Sequence, residues 1–283
     1  MTTALVVIIA VAACLVVAHG MGAVAWRRWV DQLLVLLNEA GQSSPALTAR
    51  FFTEQVAELP APVQRYFAFA LSPGQPVVLA AHTTSRGEFR MSPAGKWHTF
   101  TATQDYTVSP HAFVWDAAID VAPLIEVDVT DRYLDGEGGI HARIASVIPV
   151  VNEHATPELA SGELLRYLAE AVVMPTALLP SSGVCWTAVD DNSARATLSD
   201  HDTTVSAIFH FGPRGEVVRV SAQRYRDASG TTVLTPWVGQ FRDYKSVQGM
   251  MVPMVGEVAW ILSGDVASYY RGRTTTITFE LAA

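Results

Sequence analysis

The sequence predicts a mainly β (α+β) protein: one large curved antiparallel sheet, a half-barrel or open barrel with covering helices, preceded by a single amino-terminal transmembrane helix. Three observations predict it. No charged side chain occurs between Ala4 and Trp26. From Val77 onward apolar residues recur with the two-residue period of strands. Helical periodicity is confined to a lead-in and one mid-chain segment, so the strand–helix alternation of a parallel α/β fold is missing. Residues 1–28 are expected to form the anchor, 29–75 a helical lead-in, and 76–283 the β half-barrel with a helix over 157–173.

The anchor comes first. About 20 apolar residues in a helix cross a hydrocarbon layer of ~30 Å. A cleaved secretory signal is the main rival, but Met1-Thr2-Thr3 supplies no basic residue and the apolar run exceeds the usual ~7–15. Val11-Ala12-Ala13-Cys14 resembles a lipoprotein processing box, yet Leu15-Val16-Val17 continues the apolar run beyond it. Arg27 and Arg28 follow the span, which places the domain on the cytoplasmic side of the cell membrane by the charge-bias rule. Trp26 and Trp29 bracket them and are expected at the headgroup level.

The lead-in reads as short amphipathic helices. VDQLLVLLNEAG continues helically to a break at Gly41. Ser44 and Pro45 then look like a cap and first helical residue for ALTARFFTEQVAEL. Pro60 and Pro62 start VQRYFAFAL, with Val63, Tyr66, Phe67, Ala70 and Leu71 on one face.

The sheet follows. In HTTSRGEFR, Ala81, Thr83, Ser85, Gly87 and Phe89 share one face and His82, Thr84, Arg86, Glu88 and Arg90 the other. KWHTFTATQDYTV, AFVWDAAIDV, IEVDVTDRYL and GIHARIASVI continue the meander, separated by Ser92-Pro93-Ala94-Gly95 and by Asp135-Gly136-Glu137-Gly138. Thr156 then caps a helix whose Leu164, Leu165, Leu168 and Val172 form its buried stripe. VCWTAVD, ARATLSD, TVSAIFHF, EVVRVSAQRY, TVLTPWVGQFRDY, MVPMVGEVAWIL and TTTITFEL complete the set. A sheet of about a dozen strands accumulates twist and cannot stay flat, so it curls, with helices over its concave side.

The stretches LPAPVQRYF, RGEFRM, FVWDAAIDVAP, GELLRYLAEAVVMPTALLPSSGVCW, VDDNSARATL, TPWVGQFRDY and GMMVPMVGEVAW resemble a bacterial family of unknown function, over Leu59 to Phe279. Its members also look like a membrane helix followed by this domain. The architecture is similar to the half-barrel lipoprotein carriers of the LolA, LolB and LppX type. That resemblance implies an apolar cavity closed by helices that takes acyl chains; it transfers no residue.

Composition excludes several functions. With 19 Lys and Arg against 27 Asp and Glu, the net charge of −8 opposes nucleic-acid binding. Two cysteines allow neither a disulfide framework nor a Cys-based zinc site. The histidines lack metal-ligand spacing, and His82 and His141 are expected to be solvated. Gly136-Glu137-Gly138-Gly139 lacks the lysine of a phosphate loop and reads as a hairpin. No Gly-x-Ser-x-Gly elbow occurs, and Cys185 reads as a core residue. No cofactor or metal is expected.

Two classes of candidate residue remain. Trp97, Phe113, Trp115, Trp186, Trp237 and Trp260 fall in strands and either fill a core or line a ligand cavity. Arg166 and Tyr167 lie on the covering helix, where Arg166 meets an anionic headgroup or pairs with Glu163. Asp116, Glu88 and Glu257 are the acid–base candidates, with Asp116 alternating opposite to Phe113 and Trp115. The leading expectation is a membrane-anchored binder of a hydrophobic, lipid-like ligand. A cavity-shaped cyclase or isomerase, and an envelope protein that pairs through a sheet edge, stay open as alternatives.

Overall fold

A computed structural model describes residues 2–42, 49–228 and 230–283. The chain opens with one continuous helix, α1 (Thr2–Gln42). No break separates the apolar anchor from the first part of the expected lead-in. Ser44 and Pro45 lie outside the described residues. Beyond them the expected helix is reduced to a single 3-10 turn at Thr53–Val56, because Phe51 exchanges backbone hydrogen bonds with Gly74 and Gln75 and Arg50 bridges to Pro76. The next helix, α2 (Ala61–Ala70), starts between Pro60 and Pro62 and buries Val63, Tyr66, Phe67 and Ala70 as its periodicity requires.

Six strands come next: β1 (Val78–Phe89), β2 (His98–Thr107), β3 (Ala112–Ala122), β4 (Ile125–Leu134), β5 (Glu137–Ile144) and β6 (Ile148–His154). Helix α3 (Pro157–Glu170) and three 3-10 turns lead to β7 (Cys185–Asp190), β8 (Ser193–Asp200), β9 (Thr203–Phe211), β10 (Val217–Asp227), β11 (Thr232–Val247), β12 (Met250–Leu262) and β13 (Asp265–Leu281). All 13 strands form one sheet in the order β6-β5-β4-β3-β2-β1-β13-β12-β11-β10-β9-β8-β7. Every pairing is antiparallel, and first and last strands meet at the middle. The sheet is open, with β6 and β7 as its edges, so it is a half-barrel and not a closed barrel.

Glycines line up across that central seam. Gly87 stands opposite Gly272, and Gly272 opposite Gly256, giving a glycine row across β1, β13 and β12. A Cβ on Gly87 would lie 1.9 Å from the Arg271 carbonyl oxygen, so only glycine allows the backbones to approach this closely.

Helix α3 fills much of the concave side. The side chain of Thr156 accepts a hydrogen bond from Leu159 N–H as its cap, and Pro157 sits in the first turn. Leu164, Leu168 and Val172 are fully buried in a core shared with Phe113, Ala196, Phe209 and Val220. Each such aliphatic side chain contributes about 1.5–3 kcal/mol by leaving water.

The carboxyl-terminal half of α1 packs against the opposite, convex face. The period of β3 divides Phe113, Trp115 and Ala117, in the main core, from Ala112 and Val114, which meet Leu33 and Leu37 of α1. Trp26 is 5% exposed and donates its indole N–H to Asp116 Oδ1 at 3.0 Å. Its ring and that of Trp29 pack on His141 at 5.5 and 4.9 Å between centroids. Trp26 is therefore a docking residue, and His141 is half-buried under the helix instead of being fully solvated. Cys185 is exposed, because Trp186 takes the inward position on that edge strand.

Candidate functional site

Where α3 leaves the concave face uncovered, a cavity of about 300 Å³ remains. Its walls are aromatic: Phe89 from β1, Trp115 from β3, Trp237 from β11, Trp260 from β12, and Tyr269 and Tyr270 from β13. Alternation points the first four inward, and the consecutive Tyr269 and Tyr270 both reach the cavity because a bulge opposite Val258–Ala259 interrupts the alternation of β13. Trp260 stacks on Tyr269 at 5.7 Å, and Trp237 N–H donates to the Tyr269 hydroxyl at 3.0 Å. The β1–β2 hairpin contributes Arg90, Met91, Ser92 and Pro93. Sideways the cavity joins a broader groove of about 770 Å³ between the β5–β6 edge, the start of α3 and the β10–β11 hairpin.

Five charged side chains line the cavity beside α3: Asp131, Glu163, Arg166, Glu170 and Arg224. Arg166 pairs with Asp131 and donates from Nε to Glu170 at 2.9 Å. Its guanidinium lies 5.2 Å from the Trp115 ring centroid and 4.9 Å from that of Phe113. Glu170 also accepts from Gln104 at 2.8 Å and the Tyr106 hydroxyl at 3.0 Å. Arg224 pairs with Glu163 Oε1 at 2.9 Å and donates to the Gly162 carbonyl. Arg166 thus pairs with Asp131 and Glu170, while Glu163 is held by Arg224; the expected Glu163–Arg166 pair is not formed.

Three carboxylates face two guanidiniums here, and the imbalance falls on Glu163. Its side chain is 1% exposed. Burial and the neighbouring Asp131 push its pKa up to about 8 against the pull of Arg224. Burial likewise raises Asp131 against the pull of Arg166. Among the described residues, Glu163 Oε2 and Asp131 Oδ1 have no hydrogen-bond partner. Burial favours the protonated form of Glu163, and with its Oε2 and Asp131 Oδ1 both enclosed the two carboxyls form a buried acid cluster in the cavity wall.

The structure brings Trp115, Arg166, Trp237 and Trp260 together around this cavity. Phe113 and Tyr167 are buried beside it in the core, with the Tyr167 hydroxyl donating to the Thr107 carbonyl. Trp186 packs on Phe209 and Phe211 elsewhere in the core. Trp97 lies on the surface between the guanidiniums of Arg90 and Arg271. Of the acid candidates, Asp116 is held under α1 by Trp26 and Thr130, and Glu88 is exposed. Glu257 accepts from Ser268 at 2.7 Å and Arg271 at 3.3 Å, beside a separate hollow of about 80 Å³. Sequence reasoning did not single out Asp131, Glu170, Arg224 or Tyr269. Its available signal was a polar residue on the inward parity of a strand, as Asp131 and Arg224 are.

A second polar cluster ties the far side of the half-barrel together. Asp200 accepts from the Tyr133 hydroxyl at 2.8 Å and from His201 at 3.0 Å, with His111 at 3.6 Å. Burial works to raise its pKa, but these donors outweigh it and hold it at about 2. No group of three or more His, Cys, Asp or Glu side chains suited to a metal ion occurs among the described residues.

No curated protein matches the sequence. Similar solved structures include a LolA superfamily protein from Nitrosomonas europaea, 8% identical with a TM-score of 0.41, covering 77% of this chain and 92% of that one. A Vibrio parahaemolyticus domain assigned to outer membrane lipoprotein sorting is 8% identical at 0.40, covering 81% and 92%. A DUF1329 family protein from Desulfovibrio piger is 9% identical at 0.40, covering 73% and 88%. At these scores the likenesses carry nothing about ligand or activity. A family of unknown function (DUF6920) matches residues 57–279, which is most of the chain and runs from before β1 into β13, and the chain belongs to that family.

Proposed function

We propose that the domain binds a hydrophobic, lipid-like ligand in the aromatic cavity and is held beside the bilayer by α1 as a single-pass anchor. The observation that carries this reading is the cavity. Its 300 Å³ lies at the lower end of ligand pockets, which run from about 300 to 1,000 Å³. It is walled by rings, and the opposite face of the same sheet carries a helix whose segment Thr3–Gly41 is long and apolar enough to span a membrane. Arg27 and Arg28 are exposed just after the apolar run and favour a cytoplasmic domain. Tethering raises the local concentration of a membrane-borne ligand without adding any contact.

The polar side of the cavity narrows the ligand's chemistry. Arg166 and Arg224 are already paired with carboxylates, whereas Arg90, on the same lining, has no carboxylate partner among the described residues and is the guanidinium that an anionic head would meet. A cationic head is favoured by the aromatic walls. The test is tryptophan emission of the full chain in lipid nanodiscs, titrated with dodecylamine, dodecanol and dodecanoate. At least one of the three should give a saturable change, and their order reads whether the head meets Arg90 or the rings. No saturable response to any of the three would sink the reading.

A second reading rests on Glu163 alone. A protonated carboxyl in an apolar cavity is a general acid, as an isomerase or cyclase acting on a hydrophobic metabolite requires. Turnover that survives Glu163→Gln unchanged would remove that role.

A further inference from the structure

Two hairpin tips at one end of the sheet carry the wrong chemistry for water. The β3–β4 connection presents Leu124, fully exposed, and Ile125; the β5–β6 connection presents Val147, Ile148 and, just beyond, Val150. No charged residue occurs from Val121 to Ile125 or from Ala145 to Val151. Leu124, Ala145 and Ser146 have positive φ of 63°, 50° and 60°, where turns ordinarily use glycine or asparagine. A leucine held there at full exposure keeps an apolar side chain at the outermost point of the turn. The tips are neighbours, since Ala145 N–H bonds to the Glu126 carbonyl.

The tips are also registered against α1. His19 Nδ1 lies 2.9 Å from the Ala145 carbonyl oxygen. Gly22 meets Ser146 so closely that a Cβ would fall 2.6 Å from its carbonyl oxygen. This contact is four residues before Trp26 and thus, at ~1.5 Å per residue, about 6 Å toward the apolar end of the helix. The helix on that side is exposed and uncharged from Ala4.

We propose that the paired tips, residues 122–125 and 145–150, are a membrane-contact surface that enters the headgroup–acyl boundary of the bilayer crossed by α1. The proposal rests on reading α1 as an anchor. The occupant is a lipid surface because the apolar tips, with Asp120 and Glu126 exposed only at the base of the β3–β4 tip, sit against a helix whose apolar surface already needs one. The β1–β2 hairpin, which supplies Met91 to Pro93 of the cavity lining, is the next turn along the same end of the sheet. A chain leaving the lipid layer that faces the domain would reach the cavity along one rim.

Spin labels test this in the full chain, in nanodiscs of phosphatidylethanolamine and phosphatidylglycerol. The background carries Cys14→Ser and Cys185→Ser, both at exposed cysteines. Labels are placed through Leu124→Cys, Val147→Cys, Ile9→Cys in the helix, and Val189→Cys at the β7–β8 turn. The expected result is severalfold higher oxygen-to-nickel accessibility at 124 and 147 than at 189, approaching that at 9. If 124 and 147 match 189 while 9 stays in hydrocarbon, the rim proposal is overturned and the anchor stands. If 9 is also water-accessible, the anchor reading fails and the rim proposal fails with it.

Discussion

Replacing Glu163 by Gln should flatten the dependence of stability on pH. The side chain is fully enclosed, and its pKa rises from an ordinary 4.5 to about 8 through burial and the charge of Asp131. Between those values the folded chain keeps a proton that the unfolded chain has released. The unfolded state therefore binds fewer protons, and stability falls as pH rises through that window. Each pH unit is worth about 1.4 kcal/mol, which sets a ceiling of about 5 kcal/mol between pH 4.5 and 8. Gln reproduces the protonated shape, retains an acceptor for Arg224 and cannot ionise. Urea unfolding of the full chain in nanodiscs from pH 5 to 8 should show the wild-type midpoint declining and the variant's nearly constant relative to it. Parallel slopes for the two proteins would refute the account of the charged cluster.

Truncating Leu168 to Ala should cost about 2–5 kcal/mol, read from the same unfolding midpoints, because this residue joins α3 to the sheet at zero exposure. Trp26→Phe removes the indole donor to Asp116. It should weaken docking of α1 by about 1–2 kcal/mol, visible as faster amide exchange in β3 with little change in the core. At the far cluster, Asp200→Asn should lower the pKa of His201, which is raised chiefly by its hydrogen bond to Asp200, and NMR titration of the imidazole reads this directly. Because that pKa is raised in the fold, the pair's stabilisation is complete below the ordinary histidine value and is lost as pH rises through the raised one. Asp200, held down at about 2, keeps its own contribution above the ordinary carboxylate range and loses it as pH falls toward 2.

Most of the sheet was legible because alternation, turn residues and the mid-chain helix cap are local signals. The seven expected strands after Gly183 all form, and Thr156 caps α3. Strand β6 escaped notice because it is an edge with almost every side chain exposed, so no inward face writes a period into it. The segment around Phe51 reads as helix but is drawn out by pairing with residues 74–76, a contact that no local propensity reports. Site chemistry was half legible. Trp115, Trp237 and Trp260 announce themselves as large rings on inward positions, whereas the partners of Arg166 are set by which strand lies under α3. Asp116 looked like an acid in an apolar strand, and only the docking of α1 shows that it serves the convex face.

Native mass spectrometry of the full chain, released gently from membranes, tests the claim that the cavity holds a hydrophobic ligand. The account predicts a discrete lipid-like adduct on the wild-type protein, absent after Ala267→Trp fills the cavity wall. A bare mass for the wild type, unchanged after incubation with membrane lipid extract, would contradict it.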